Sequence, residues 1–97
     1  PWRTYFLSYD SDAVLIVGGT SQGIKEGMVF NVKTQGKKVK NPQTGILITL
    51  PGKTVGTAKV IATGGDTPET EYSFVEVTSN ETINSENMSN YIIEQVK

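Results

Sequence analysis

The chain reads as an all-β domain, a small antiparallel SH3-like or OB-like barrel of about six to seven short strands. Three observations predict it. Only 36% of the 97 residues are hydrophobic, which suits strands that bury one face and leave alternate residues polar. Ten glycines, with many Thr, Ser and Asn, supply turns rather than helices. Short β-branched and aromatic runs recur between breaks that contain Gly or Pro, from Val14–Val17 to Tyr91–Val96. At this length one domain is expected, residues 1–97, with 1–12 as an N-terminal strand or arm and 78–90 as a polar loop before the last strand.

Pro1 to Tyr9 opens the chain, with Tyr5, Leu7 and Tyr9 on one face of a strand and Trp2 and Phe6 expected to pack onto the barrel. Asp10-Ser11-Asp12 is a turn. Ala13–Val17 is a continuous apolar run, expected to be covered on both sides. The stretch Gly18–Val32 then joins two strands through Gly18, Gly19, Gly23 and Gly27, with Ile24 pinning the loop to the core. Met28, Phe30 and Val32 share one face of the strand that follows.

Lys33–Lys40 is expected to form a hairpin around Gln35-Gly36, with Val39 facing inward. Asn41-Pro42-Gln43-Thr44-Gly45 is a strong turn, because Pro42 presets φ and Gly45 accepts a left-handed conformation. Ile46–Leu50 is the next strand, ended by Pro51-Gly52. Lys53–Thr63 follows, with Val55, Thr57 and Val60 or Ile61 as inward groups and Gly56 marking a bend or bulge. After a turn at Gly64–Pro68, a strand over Tyr72–Val77 places Val75 and Val77 opposite Tyr72 and Phe74. Thr78–Asn90 reads as a surface connection, and Tyr91–Val96 as a last strand that seals the barrel against an early one.

Neither cysteine nor histidine is present, which excludes disulfides, thiolate metal sites and imidazole acid–base chemistry. Asp10 and Asp12 have half the carboxylate pattern of a calcium loop but lack its further ligands and closing Glu. Asp66-Thr67 is followed by Pro68 rather than the glycine of an aspartic-protease motif. Val17–Ile24 looks similar to the phosphate loop of short-chain dehydrogenases, but Lys25 stands where a glycine is needed and strand-like residues follow where a helix is needed. No enzyme activity, cofactor or metal is expected. Asn80-Glu81-Thr82 and Asn87-Met88-Ser89 match the short glycosylation sequon. There is no apolar run of transmembrane length and no signal peptide, and a start at Pro1-Trp2 fits a mature product or an excised domain.

The net charge of −1 argues against a nucleic-acid binder. Its distribution is uneven. Lys33, Lys37, Lys38, Lys40, Lys53 and Lys59 fall in a segment without acids, and Asp66, Glu69, Glu71, Glu76, Glu81, Glu86 and Glu94 fall in one without bases. The two halves either neutralise each other across strands or leave a basic patch for an acidic partner.

Three motifs in order, Gly-Ile-x-x-Gly-Met-x-Phe-x-Val over Gly23–Val32, Asn-Pro-x-Thr-Gly over Asn41–Gly45 and Val-Gly-x-Ala-x-Val over Val55–Val60, resemble a small β-domain of bacterial envelope proteins. The pattern is similar to the C-terminal domain of the flagellar T-ring assembly protein and to modules of curli-secretion-type lipoproteins. It covers about Ala13 to Val77, more weakly to Val96, and departs where Asn41 replaces the Asp often found before that proline. The resemblance implies a periplasmic or outer-membrane-associated, exported module that mediates assembly, with an envelope protein as partner and no catalytic residues. On that basis the expected interaction surface comprises Lys25, Lys33, Lys37, Lys38, Lys40, Asn41 and Trp2, on a rim made by the glycine loop, the lysine hairpin and the Asn41–Gly45 turn. A peptidoglycan-binding or other glycan-binding barrel is the alternative, with Trp2, Tyr5 or Tyr72 stacking on sugars, and homo-oligomers through an open sheet edge are allowed. An OB-like nucleic-acid binder is disfavoured, because aromatics do not interleave the lysines.

Overall fold

The computed structural model describes residues 2–50 and 52–96; Pro1 and Pro51, assigned above to the chain start and a strand end, lie outside the described residues. Nine strands form in chain order: β1 (Arg3–Thr4), β2 (Phe6–Tyr9), β3 (Val14–Val17), β4 (Val29–Thr34), β5 (Lys38–Lys40), β6 (Leu47–Thr49), β7 (Thr54–Gly64), β8 (Tyr72–Ser79) and β9 (Tyr91–Gln95). Among the described residues there is no α-helix, only 3-10 turns at Thr20–Gln22 and Met88–Asn90. Seven strands make one antiparallel sheet in the order β1-β9-β4-β7-β8-β3-β2, a nearly closed barrel.

Closure follows from that order. β1 and β2 stand at its two ends yet are consecutive in the chain, separated only by Tyr5. Arg3 and Thr4 pair with Glu94 and Ile93 of β9, whereas Phe6 onward pairs with β3. Between them the Tyr5 carbonyl accepts from the Val17 N–H at 3.0 Å. Thr4, buried, donates its hydroxyl to the Val17 carbonyl at 2.6 Å. One extended stretch thus ties both edges of the sheet, and β9 seals the barrel against it as expected.

The inward faces meet in a core of Phe6, Ile16, Ile24, Phe30, Val32, Val55, Ala58, Val60, Val75, Ile83, Tyr91 and Ile93. Burying side chains of this size is worth about 1.5–3 kcal/mol each. The polar groups drawn inward are satisfied: Ser73, fully buried, donates its hydroxyl to the Gly18 carbonyl at 2.7 Å. Among the described residues no buried side-chain N or O lacks a hydrogen-bond partner.

Bulges shift the alternation within strands. β2 has one between Phe6 and Ser8, so Phe6 and Tyr9 both reach the core and meet edge-to-face at 5.2 Å, while Tyr5 and Leu7 point to solvent. The expected common face of Tyr5, Leu7 and Tyr9 is therefore broken by the bulge. On β7 the inward residues are Val55, Ala58 and Val60, and Thr57 and Ile61 are exposed. That strand has register shifts beside Val55, against β4, and between Val60 and Ala62, against β8. β3 is covered less than its apolar run predicts: Ile16 is fully buried, but Val17 is exposed because no second layer lies outside the barrel wall.

The Gly18–Gly27 loop is pinned as expected by Ile24, which is 1% exposed. Gly18, Gly23 and Gly27 take positive φ, and Gly19 is extended. The Glu71 carboxylate accepts from the Ser21 N–H at 2.9 Å and its hydroxyl at 2.8 Å, holding the loop against β8. In a dinucleotide loop that N–H would face a phosphate; here the chain's own anion takes it, and a strand follows. The polar tract 78–90 folds back over the barrel through buried Ile83 and half-buried Met88.

Within β7, Gly56 packs tightly against its neighbouring strand. A Cβ placed there would lie 2.1 Å from the Thr78 carbonyl oxygen of the neighbouring strand. Gly56→Ala must push β7 and β8 apart. It is expected to cost about 2–4 kcal/mol, read as a lowered urea or thermal midpoint.

Candidate functional site

β5 and β6 pair only with each other, and none of their described side chains belongs to the core. They form an arm. It accounts for an elongated shape of 48 × 27 × 25 Å and a radius of gyration of 14.8 Å, against about 13 Å for a compact domain of this length. The hairpin turns at Asn41–Gly45 rather than at Gln35-Gly36, because β4 runs on to Thr34 and the chain leaves the barrel only there. Asn41 Oδ1 accepts from the Gln43 and Thr44 N–H groups, and Gly45 closes the turn at φ 74° with its N–H bonded to the Asn41 carbonyl at 2.8 Å.

Register decides what the arm presents. Val39 stands opposite Ile48, with Ile46 and Leu50 two residues to either side of Ile48 on the same face by strand alternation. The other face carries Lys38, Lys40 and Leu47, with Lys40 opposite Leu47. Ile46 is 63% exposed, Leu47 62% and Ile48 46%, and Val39 and Leu50 are exposed as well. The expected inward Val39 is thus corrected: the arm stands off the barrel and has no interior for it to face.

The root of the arm is held firmly. The Thr34 N–H donates to the Lys53 carbonyl at 2.9 Å, and the Lys53 N–H to Thr34 Oγ1 at 3.0 Å. Gly52 passes so close that a Cβ would sit 1.8 Å from the Thr34 carbonyl oxygen. Gln35 bonds through its backbone and side-chain amides to the carbonyls of Asn90 and Ser89, at 3.0 and 2.7 Å.

Beside the root lies a cavity of about 220 Å³ lined by Arg3, Lys33, Gly36, Leu50, Ile92 and Glu94. Glu94 accepts from Lys33 Nζ at 3.0 Å and Arg3 Nε at 2.8 Å, linking β4, β9 and β1. The hydrogen bond from Lys33 lowers the Glu94 pKa; desolvation opposes this, and Arg3 adds to the lowering. Both cations of the cavity are thus engaged by one carboxylate, which leaves the cluster with a net charge of +1.

The structure brings Lys37, Lys38, Lys40 and Asn41 together on the arm, separates others, and reveals apolar partners for them. Lys33 is engaged by Glu94. Lys25 and Trp2 stand by the glycine loop, at the start of β4, whereas the arm leaves its end, about 17–20 Å along the strand. Trp2 is half-buried, its ring 5.9 Å from that of Phe30. The expected rim is thus two surfaces. Sequence reasoning missed the exposure of Ile46, Leu47, Ile48 and Leu50. Its available signal was the absence of alternation in Ile46–Leu50: a strand apolar on both faces needs two covers, and this chain supplies no second layer.

A scan against protein-family models, a search of curated proteins and a search of solved structures each found no match.

Two outcomes are expected of these arrangements. Replacing residues 37–50 with a short Gly-Ser linker should leave the barrel folded, its thermal midpoint within about 5 °C of the parent by circular dichroism, because the arm adds nothing to the core. Because folding lowers the Glu94 pKa, that group's stabilisation is fully present above the ordinary value near 4.5 and is lost as pH falls through the lower folded-state value. Glu94→Gln should lower the midpoint at pH 7 and reduce its fall between pH 5 and about pH 3.

Proposed function

We propose that this chain is a non-enzymatic protein-interaction and assembly module, and that the β5–β6 arm is the element that docks. The observation that carries this reading is an arm whose two faces are both open to water, with Val39, Ile46, Ile48 and Leu50 on one and Leu47 beside Lys38 and Lys40 on the other. A two-stranded hairpin is marginal by itself in water, and contiguous exposed apolar surface is characteristic of a docking site. Covering these aliphatic side chains recovers the hydrophobic free energy the fold leaves unused. The three lysines favour a partner surface that carries carboxylates and disfavour a basic one.

The motif resemblance to T-ring and curli-secretion-type modules extends the reading to an exported component of a bacterial cell envelope, periplasmic or outer-membrane-associated. No helix among the described residues is long and apolar enough to cross a membrane. The glycan alternative has less support, because the rings it needs are turned to other work. Trp2 packs on Phe30 and Tyr72 meets Phe74 edge-to-face at 5.6 Å, which leaves Tyr5 as the most open of the three. Nucleic-acid stacking finds no aromatic on the arm.

A photo-crosslinking residue in place of Leu47, in the producing cell, should yield a discrete protein adduct, and one in place of exposed Thr57 on the barrel should not. Adduct formation should fall at least fivefold when Lys37, Lys38 and Lys40 are changed to Glu. Absence of any protein adduct at Leu47, with cosedimentation on peptidoglycan sacculi that survives physiological salt, would replace this reading with the glycan one.

A further inference from the structure

The arm carries three lysines and no acid, so within a chain of net charge −1 the remainder carries −4. A complementary surface lies on that remainder. Between the β2–β3 turn and the outer wall of β7 and β8 runs a groove of about 370 Å³ whose apolar lining includes Ile61, Phe74 and Val77 and whose carboxylates are Asp10, Asp12 and Glu76. Ile61 is 48% exposed: it follows inward Val60 on β7, at the bulge between Val60 and Ala62, and points away from the barrel interior. No lysine or arginine lines the groove, and among the described residues the ion pairs are the two on Glu94. Lys59 faces Glu76 in the β7–β8 register but is not in ion-pair contact with it. Asp10 is fixed by its Oδ1, which accepts from the Asp12 and Ala13 N–H groups at 2.9 Å each, so the turn holds the Asp10 carboxylate in a set position.

We infer that the partner of the arm is a second copy of this chain, whose Asp10/Asp12/Glu76 groove receives the arm's lysines and aliphatic side chains. This rests on the interaction-module reading above and names its partner. The argument is one of matched chemistry: an exposed surface of lysines and aliphatics on an arm without acids, and a groove of carboxylates and apolar walls in which only Glu76 has a lysine opposite it, Lys59, with no ion pair between them. No arm residue lines the groove, and the arm's root is pinned by Thr34, Lys53 and Gly52, so the contact forms between molecules. A symmetric arm-to-arm dimer is the poorer match, since it gathers six lysines and leaves the groove uncovered. Arm into groove is heterologous: every copy offers one of each, and association repeats head to tail.

Sedimentation velocity on the purified chain tests it through a charge swap. The wild type should associate in a concentration-dependent manner that weakens with salt. Lys38→Glu/Lys40→Glu and Asp12→Lys/Glu76→Lys should each weaken association at least about tenfold. An equimolar mixture of the two should associate again, because each acidic arm then meets a basic groove and each basic arm an acidic one. A monomeric wild type at several hundred micromolar, undiminished association of either variant, or a mixture of folded variants that stays monomeric would each overturn the inference. Should either charge variant fail to fold, the absence of cysteine offers a second measurement. Leu47→Cys mixed with Ile61→Cys should form a disulfide-linked dimer under mild oxidation far more readily than Leu47→Cys mixed with Thr57→Cys, and equal yields would overturn it. A monomeric wild type that still gives a Leu47 adduct of another mass in the cell would remove the self-docking inference and leave the interaction module standing.

Discussion

Everything in this barrel depends on the N-terminal stretch Trp2–Tyr9 reaching both edges of one sheet. Without it β9 and β3 would each present a free edge, with unpaired N–H and C=O groups open to pairing with other chains. The stretch solves this by changing partners at Tyr5. Its Trp2 carbonyl accepts from Gln95 at 3.0 Å on one side, and its Tyr5 carbonyl accepts from Val17 on the other. The buried Thr4 hydroxyl and the Arg3–Glu94 ion pair reinforce the same seam. An enclosed wall is what lets so small a hydrophobic complement suffice, because every strand then turns one face onto a shared interior.

The same economy explains the loops. The glycine loop at one end contributes Ile24 to the interior and is held from outside by Glu71. The polar tract 78–90 contributes Ile83, and Tyr91 at its end donates its hydroxyl to Glu81 at 2.7 Å. That bond, with burial adding to it, raises the Tyr91 pKa above its ordinary value. The long insertion between β4 and β7, by contrast, contributes none of its described residues to the core. Its five exposed aliphatics are the feature on which the proposed docking role rests.

The arm and the acidic groove also account for the uneven charge along the chain. Part of the separation is resolved within the molecule, where Lys33 from the basic half meets Glu94 from the acidic half across the β4–β9 pair. Lys37, Lys38 and Lys40 are carried away from the barrel before any such pairing can occur. Charge that is neutralised locally holds the seam, and the lysines on the arm are left for the proposed partner.

The amino-acid sequence by itself determined the all-β class, the positions of the glycine loop and the Asn41–Gly45 turn, the inward role of Ile24, and the final strand as the one that seals the barrel. These are local matters of backbone freedom and side-chain period, readable from Gly, Pro and the spacing of apolar residues. Tertiary structure alone decided which face each strand turned inward, because single-residue bulges at Phe6–Ser8 and along β7 reverse the alternation that a period of two predicts. It also decided that Ile46–Leu50 stands outside the barrel. An uncovered strand and a doubly covered one have the same composition, and only the placement of neighbouring strands tells them apart.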